Sequence, residues 1–423
     1  MDRLDPRDTP SAALVDPAWL RGLTERRLSR RDVLRLAGMG GGAMVASSAL
    51  AACGVSGGKA KKTATSFWDG KKVKGSLVFA NWPLYMDKAH GTHPSLDLFE
   101  KQSGIKVTYK EDVQEIPSFY GKIEPELAAG QATGYDLIVI TNGVYLDKMK
   151  AANWLIPLDH TQLPNFNKHA GPAIKDPTYD PGNKYTAPWQ SGITGIGWNP
   201  KYVKEPISSF EDLLNPKYKG KIGMFADNAD LPNLAILGNG VTPEDSTPDD
   251  WNKAADVLKK QRRLVRKYYE QDYIGPLSKG DIWISMAWSG DIFQANLSDP
   301  GLDLQFVVPD EGGLIWTDNM CIPVHSSAPV DALKLIDFYY DPEHAAMLTE
   351  WVNYITPVPD CKAVIEQQAA DTKGKDRIYL NELAKSPLIF PTDAMTSKIH
   401  DYRVLTASEE KQWNSIFEPI YQG

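Results

Sequence analysis

Past residue 70 the apolar positions fall into short runs set between amphipathic stretches. Ser76-Leu77-Val78-Phe79-Ala80, Ile105 to Tyr109 and Tyr135 to Ile140 each carry the strand-length run of a buried β-segment. Leu96 to Gln102, Pro117 to Ala129 and Val144 to Ala152 lie between and after them with helical spacing. Strand–helix alternation of this kind predicts parallel β units in an α/β sheet. A second block of the same character begins near Ile193. There Ser208-Ser209-Phe210-Glu211 has the form of a capping box and Ile222-Gly223-Met224-Phe225 that of a buried strand. Thr247-Pro248-Asp249-Asp250 supplies a cap, a first-turn proline and early acids for a helix expected to run to about Arg266. Trp283 to Ala287 and Leu304 to Val308 read as further strands. From Val330 onward the pattern turns mostly helical, ending in Glu409 to Tyr421.

The N-terminal stretch breaks the pattern. Ser29-Arg30-Arg31-Asp32 precedes a Gly- and Ala-rich apolar segment from Val33 to Leu50, which closes on Leu50-Ala51-Ala52-Cys53. A basic start, a short apolar run and small residues before a cleavage point describe an export signal, and the Arg30–Arg31 pair indicates the twin-arginine route. Leu-Ala-Ala-Cys resembles a bacterial lipobox, which makes Cys53 the lipidated first residue of the exported chain. Several acyl chains would hold it firmly to the membrane where one would not. Residues 53–71, rich in Gly, Lys, Ser and Thr, read as a flexible tether.

The chain has 423 residues, so the exported part is too long for one core and suits two domains. Formal net charge is −8, and residues 1–52 carry eight Arg against six acidic residues, which leaves −10 from Cys53 onward. That balance argues against nucleic acid as partner and favours a cationic ligand. Cys321 and Cys361 are expected to pair in an oxidising compartment or else to stand as two buried thiols.

Catalytic motifs are scarce. Gly38-Met39-Gly40-Gly41-Gly42-Ala43 follows no strand and lies in the signal, so its dinucleotide-loop likeness is spurious. His90-Gly91-Thr92-His93 reads as a solvated loop, no zinc-protease spacing occurs, and the body holds no Gly-x-Ser-x-Gly elbow. The paired carboxylates of a secreted hydrolase stay open, since their separation is a three-dimensional property. Neither cofactor nor metal is expected. The better clue is 12 Trp, many in short segments beyond strand ends, where ligands of open α/β sheets bind. Trp82 and Tyr85 follow the first strand, Trp288 follows Ala287, Trp316 and Asp318 sit together, and Tyr354 lies in Asn353-Tyr354-Ile355-Thr356-Pro357.

These fragments, with Gly134 to Val139, Phe210-Glu211-Asp212-Leu213 and Tyr218-Lys219-Gly220, resemble the spermidine/putrescine-binding proteins of bacterial ABC importers from about Ser76 to the C-terminus. The resemblance implies a two-lobe periplasmic-binding-protein-like α/β fold with hinge crossover strands. Lobe 1 would be residues 72–192 plus 317–358, and lobe 2 residues 193–316 plus 359–423. It also implies a monomer that delivers its ligand to membrane permease subunits and catalyses nothing itself. Trp82, Tyr85, Trp288 and Trp316 would box the ligand, Asp318 would pair with an amine, and Tyr354 would add a hydroxyl; Thr141 joins them. Polyamine chemistry suits such a set. Ring faces cover methylenes and attract ammonium groups at about 0.5–2 kcal/mol per good contact, while each desolvated ammonium needs a carboxylate.

Two departures stand out. Where the family carries an Asp and a Glu three residues apart, alignment places Asn228 and Leu231, with Asp227 and Asp230 flanking. Glu270 could restore a carboxylate from a neighbouring loop. Arg403 or Tyr402 aligns with a family glutamine, and an arginine there, with the acid pair lost, would suit another organic cation or an amino-acid-like compound better than a polyamine. Tyr268-Tyr269-Glu270 hints faintly at ferric ion.

Overall fold

The computed structural model describes residues 67–422 except His90, Ala173 and Pro300. Arg30, Arg31, Cys53 and most of the expected tether lie outside the described residues. Ten strands form the framework: β1 (Ser76–Ala80), β2 (Lys106–Lys110), β3 (Leu137–Thr141), β4 (Thr186–Trp198), β5 (Ile222–Phe225), β6 (Val265–Tyr269), β7 (Ile284–Trp288), β8 (Gln305–Val307), β9 (Gly313–Cys321) and β10 (Ile399–His400). Their order is β2-β1-β3-β9-β4-β7-β5-β6, with β8 added on β4 and β10 on β9.

Both ends of this sheet are parallel α/β units and the middle is antiparallel. β1 pairs in parallel with β2 and β3, and β5 in parallel with β6 and β7. Between them β9 runs antiparallel to both β3 and β4. β4 and β9 are therefore shared: the first half of β4 pairs with the Asp318–Cys321 end of β9, and its second half with β7. A third crossing follows at Ser191 and Ile355, whose backbone N–H groups each donate to the other's carbonyl at 2.9 Å.

Alternation along β3 shows how burial selects the register. Leu137 and Val139 enter one core with Leu77, Phe79 and Trp189, while Ile138 and Ile140 enter another with Phe119 and Leu146. A parallel sheet covered on both faces needs such an unbroken apolar run. The second unit has its own core, built on Ile222, Met224, Ile284, Met286, Trp251 and Trp413.

Three expectations change. The helix begun at Thr247 stops at Gln261, because Val265-Arg266-Lys267-Tyr268-Tyr269 pairs with β5 as β6. Residues 361–389, assigned in advance to the second lobe, bury Cys361, Ile365, Leu380, Leu383 and Ile389 in the first core instead. Cys321 and Cys361 are not bonded to each other: both are free, buried thiols. Cys321 sits among Ile138 and Leu155, whereas Cys361 lies in a different core beside Thr349 and Thr356. Among the described residues no helix is long and apolar enough to cross a membrane.

Candidate ligand site at the crossing strands

Asp318 lies on β9 at the place where that strand passes from one unit to the other, paired with Thr141 on one side and Gln190 on the other. It is buried, and the Thr141 hydroxyl donates to its Oδ1 at 2.6 Å. Burial pushes its pKa up to about 6, against the opposing pull of Thr141, Tyr85 and Trp82. Tyr85 and Trp82 come from the segment after β1. The buried Tyr85 hydroxyl and Trp82 Nε1 both face that carboxyl and favour its ionised form. A buried carboxylate ringed by hydroxyl and indole donors with no cation against it is suited to receive a positive group.

Aromatic rings continue from there. Tyr85 meets Tyr354 with ring centroids 6.1 Å apart, and Tyr354 meets Trp316 at 5.2 Å, both edge-on. Trp316 lies directly over Gly192 of β4 and Tyr354 over Gly290, so tightly that any Cβ at either glycine would stand inside a ring. The Tyr354 hydroxyl donates to Asp291 at 2.8 Å, which ties a lobe-1 ring to the helix Ser289–Ser298. Trp288, one residue before that helix, packs on Phe225 at 4.5 Å and donates its Nε1 to Asp230 Oδ2 at 3.0 Å.

Asp230 is the second anionic centre. It opens the helix Asp230–Gly238 that follows β5, and is buried. Its Oδ1 accepts from the Thr194 hydroxyl at 2.6 Å and from the Tyr402 hydroxyl at 2.8 Å. Three residues earlier, Asp227 Oδ1 accepts from the backbone N–H of Ala229 at 2.8 Å and of Asp230 at 2.6 Å as the chain enters the same helix. Desolvation raises both carboxyls, and Asp227 is raised further by its neighbour Asp230. Among the described residues no Lys, Arg or His makes an ion pair with Asp227, Asp230 or Asp318.

Of the residues expected from sequence, Trp82, Tyr85, Thr141, Trp288, Trp316, Asp318 and Tyr354 surround this one region. Three others do not join them. Asn228 is exposed and turns its amide to Asn414 at 2.9 Å, whereas the flanking Asp227 and Asp230 carry the carboxylates of this region. Glu270 is exposed at the end of β6. Arg403 donates to the Glu244 carbonyl at 2.6 Å and to Glu409 at 3.2 Å, away from the carboxylates, while its neighbour Tyr402 turns inward to Asp230. Tyr402 was visible beforehand only as the alternative to Arg403.

Comparison with known proteins agrees with this architecture. The chain is 29% identical over 300 residues to the spermidine/putrescine-binding periplasmic protein of Salmonella typhimurium, which covers 71% of this chain and 82% of that one. It is 27% identical over 348 residues to the putrescine-binding periplasmic protein PotF of Escherichia coli, covering 78% and 86%. A solved spermidine/putrescine ABC transporter substrate-binding protein, PotD of Streptococcus pneumoniae, superposes with a TM-score of 0.69 at 24% identity, over 82% of this chain and 99% of that one, and so shares its two-lobe fold. The family model for bacterial extracellular solute-binding proteins matches residues 95–374. That span takes in β2 to β9 and all three carboxylates, and the chain belongs to the bacterial extracellular solute-binding proteins.

Proposed function

We propose that this chain is the substrate-binding component of an ABC importer and that its ligand is a polyamine of the spermidine or putrescine type. The observation that carries the reading is the uncompensated charge: three carboxylates gather where β4 and β9 cross, without a basic partner, and aromatic rings flank them. A polyamine supplies what is missing. Its ammonium groups neutralise Asp318 and the Asp227–Asp230 pair, and its methylenes lie against Trp316, Trp82 and Tyr354. Relatives named for spermidine, putrescine or both support the same class. An amino-acid-like ligand would need a basic group for its carboxylate, and Arg403 is committed to Glu409 and Glu244.

In this reading the protein captures and does not transform its ligand. The lobes close by differential affinity, and the closed form docks on permease subunits whose partners hydrolyse ATP. Lipid on Cys53, after twin-arginine export directed by Arg30 and Arg31, keeps the protein at the outer face of the membrane as a monomer. Titration calorimetry with spermidine and putrescine, beside a thermal-shift panel of amino acids and sugars, tests the assignment. Tight, saturable binding of at least one polyamine is expected. A thermal shift with a sugar or amino acid and none with any polyamine would overturn it.

A further inference from the structure

Positive charge is spread unevenly over the second unit. Residues 217–221 and 253–267 hold ten Lys and Arg against a single acid, Asp256, a net of +9. Taken from the −10 of the exported chain, that leaves −19 on everything else. The two segments adjoin. Ile222 of β5 pairs with Val265 of β6, and the Gly220 N–H donates to the Leu264 carbonyl at 2.8 Å. β6 closes the sheet at this end, with no strand outside it among the described residues, so the basic groups gather at one extremity of the sheet.

Eight of the ten are exposed. Five stand 2.9–3.9 Å from an acid, in surface pairs that water and salt screen. Lys221 and Arg262 turn to the carbonyls of Gly280 and Ile420. Lys219, Lys260 and Arg263 are exposed and make no ion pair among the described residues. Cations drawn together in this way repel one another, which works against the compact state. Guarding an edge strand against unwanted pairing accounts for Arg266 and Lys267 on β6. It does not account for the cations of the helix Pro248–Gln261 or of the segment before β5.

We propose that this basic end is a docking surface for a phospholipid membrane of net negative charge. The occupant follows from the chain's own start, where the lipobox cysteine Cys53 puts the body within tether length of a bilayer. The stretch from Cys53 to Phe67 spans at most roughly 45 Å when extended, and it enters the first unit ahead of β1. Seven strand spacings, about 34 Å, separate β2 from β6, so the far end of the sheet can reach the same surface. Each Lys or Arg near anionic headgroups adds an attraction that fades within a Debye length, and a basic patch beside an acyl anchor supplies a second membrane signal. Anchor and patch together lay both lobes along the membrane, where permease subunits lie. The choice of a membrane rests on the anchoring reading above; vesicle binding is measured without the anchor, so the two fail separately.

The protein for the test is the exported chain from residue 53 with Cys53→Ser, which carries no lipid and keeps the cores described above, all of them at or after Phe67. Flotation with vesicles of phosphatidylcholine, alone or mixed equally with phosphatidylglycerol, reads its partition. Binding is expected to the anionic vesicles only, and should vanish at about 1 M salt, where the screening length is about 3 Å. Lys219→Glu, Lys260→Glu and Arg263→Glu together should weaken it at least tenfold with the melting temperature unchanged. The same charge change on exposed lysines of the first unit, Lys373→Glu, Lys375→Glu and Lys385→Glu, should leave the partition within about threefold of the parent. No flotation with anionic vesicles, equal flotation with both kinds, or equal loss in the two triple variants overturns the proposal. Salt-sensitive self-association in light scattering without vesicle binding overturns it as well, and gives the surface to a second copy of the chain.

Discussion

Replacing Asp318 by Asn should stabilise the empty protein while disabling it. The carboxyl is buried and meets no cation, and that burial, against the pull of Thr141, Tyr85 and Trp82, raises its pKa to about 6 from an ordinary value near 4. A carboxyl whose folded-state pKa exceeds its unfolded one makes folding less favourable once it ionises. The penalty is absent below about pH 4, grows between pH 4 and 6, and is constant above. Two pKa units correspond to about 3 kcal/mol at neutral pH. Asn is nearly isosteric, and its carbonyl still accepts from Thr141. For roughly 350 ordered residues the unfolding entropy is about 0.7 kcal/mol/K, so the gain reads as a rise in Tm of about 4 °C at pH 7.5. Ligand binding moves the other way: loss of a desolvated ammonium–carboxylate contact should weaken a polyamine at least a hundredfold, about 3 kcal/mol. Differential scanning fluorimetry of the unliganded pair from pH 4 to 8 provides the assay, with calorimetry for affinity. The burial argument fails if Asp318→Asn melts below the parent at pH 7.5, or if the difference between them does not widen as pH rises from 4 to 6.

Other consequences follow from the same geometry. Because a bound ammonium favours ionised carboxylates and all three acids are raised by burial in the empty site, polyamine affinity should fall at least tenfold from pH 7.5 to 5.5 with proton release on binding; a flat profile in buffers of different ionisation enthalpy would contradict this. Gly192→Ala would put a methyl into the Trp316 indole and rotate it off β4, so binding should weaken at least tenfold while β4–β9 pairing survives; unchanged affinity would show that Trp316 does not touch the ligand. Cys321 and Cys361 should react with a maleimide only after denaturation, and non-reducing electrophoresis should match reducing; a mobility shift on reduction would contradict free thiols.

The parts of the fold legible in the sequence are those whose environment is uniform. β1 and β5 are legible to the residue because both carry apolar residues at successive positions, β5 within one core and β1 with Leu77 and Phe79 on one face and Val78 and Ala80 on the other. β4 and β9 have no counterpart in the sequence pattern, for the opposite reason. Thr186 to Trp198 mixes Pro188, three glycines and buried polar residues, since it passes from one core to the other and gives up side chains where Trp316, Phe306 and Ala287 press on it. The ring set was legible because rings at strand ends are conspicuous. Which side chains of residues 227–231 face the site is not legible in the sequence: only local backbone geometry decides that Asp227 accepts from the Ala229 and Asp230 backbone, Asp230 turns in and Asn228 points out. Between Tyr402 and Arg403 the choice hangs on the pairing of β10 with β9 just upstream, which alternation cannot foresee.

The position of the acids also explains how capture can drive closure. Asp318 stands on a shared strand, Asp227 and Asp230 on the second unit, and Tyr354 reaches from the first to Asp291 on the second. Bringing the units together would desolvate carboxylates of both regions at once, so an empty site would resist closure. A ligand with positive charge at two points removes that resistance at both ends, and its stabilisation is fully expressed only when the lobes have shut. A monocation of equal hydrophobic area would relieve one end alone, leaving the other carboxylate buried without a partner. Discrimination for a polycation over a monoamine is then a property of closure itself, which a monoamine series with matched methylene count would reveal as binding without lobe movement in small-angle scattering.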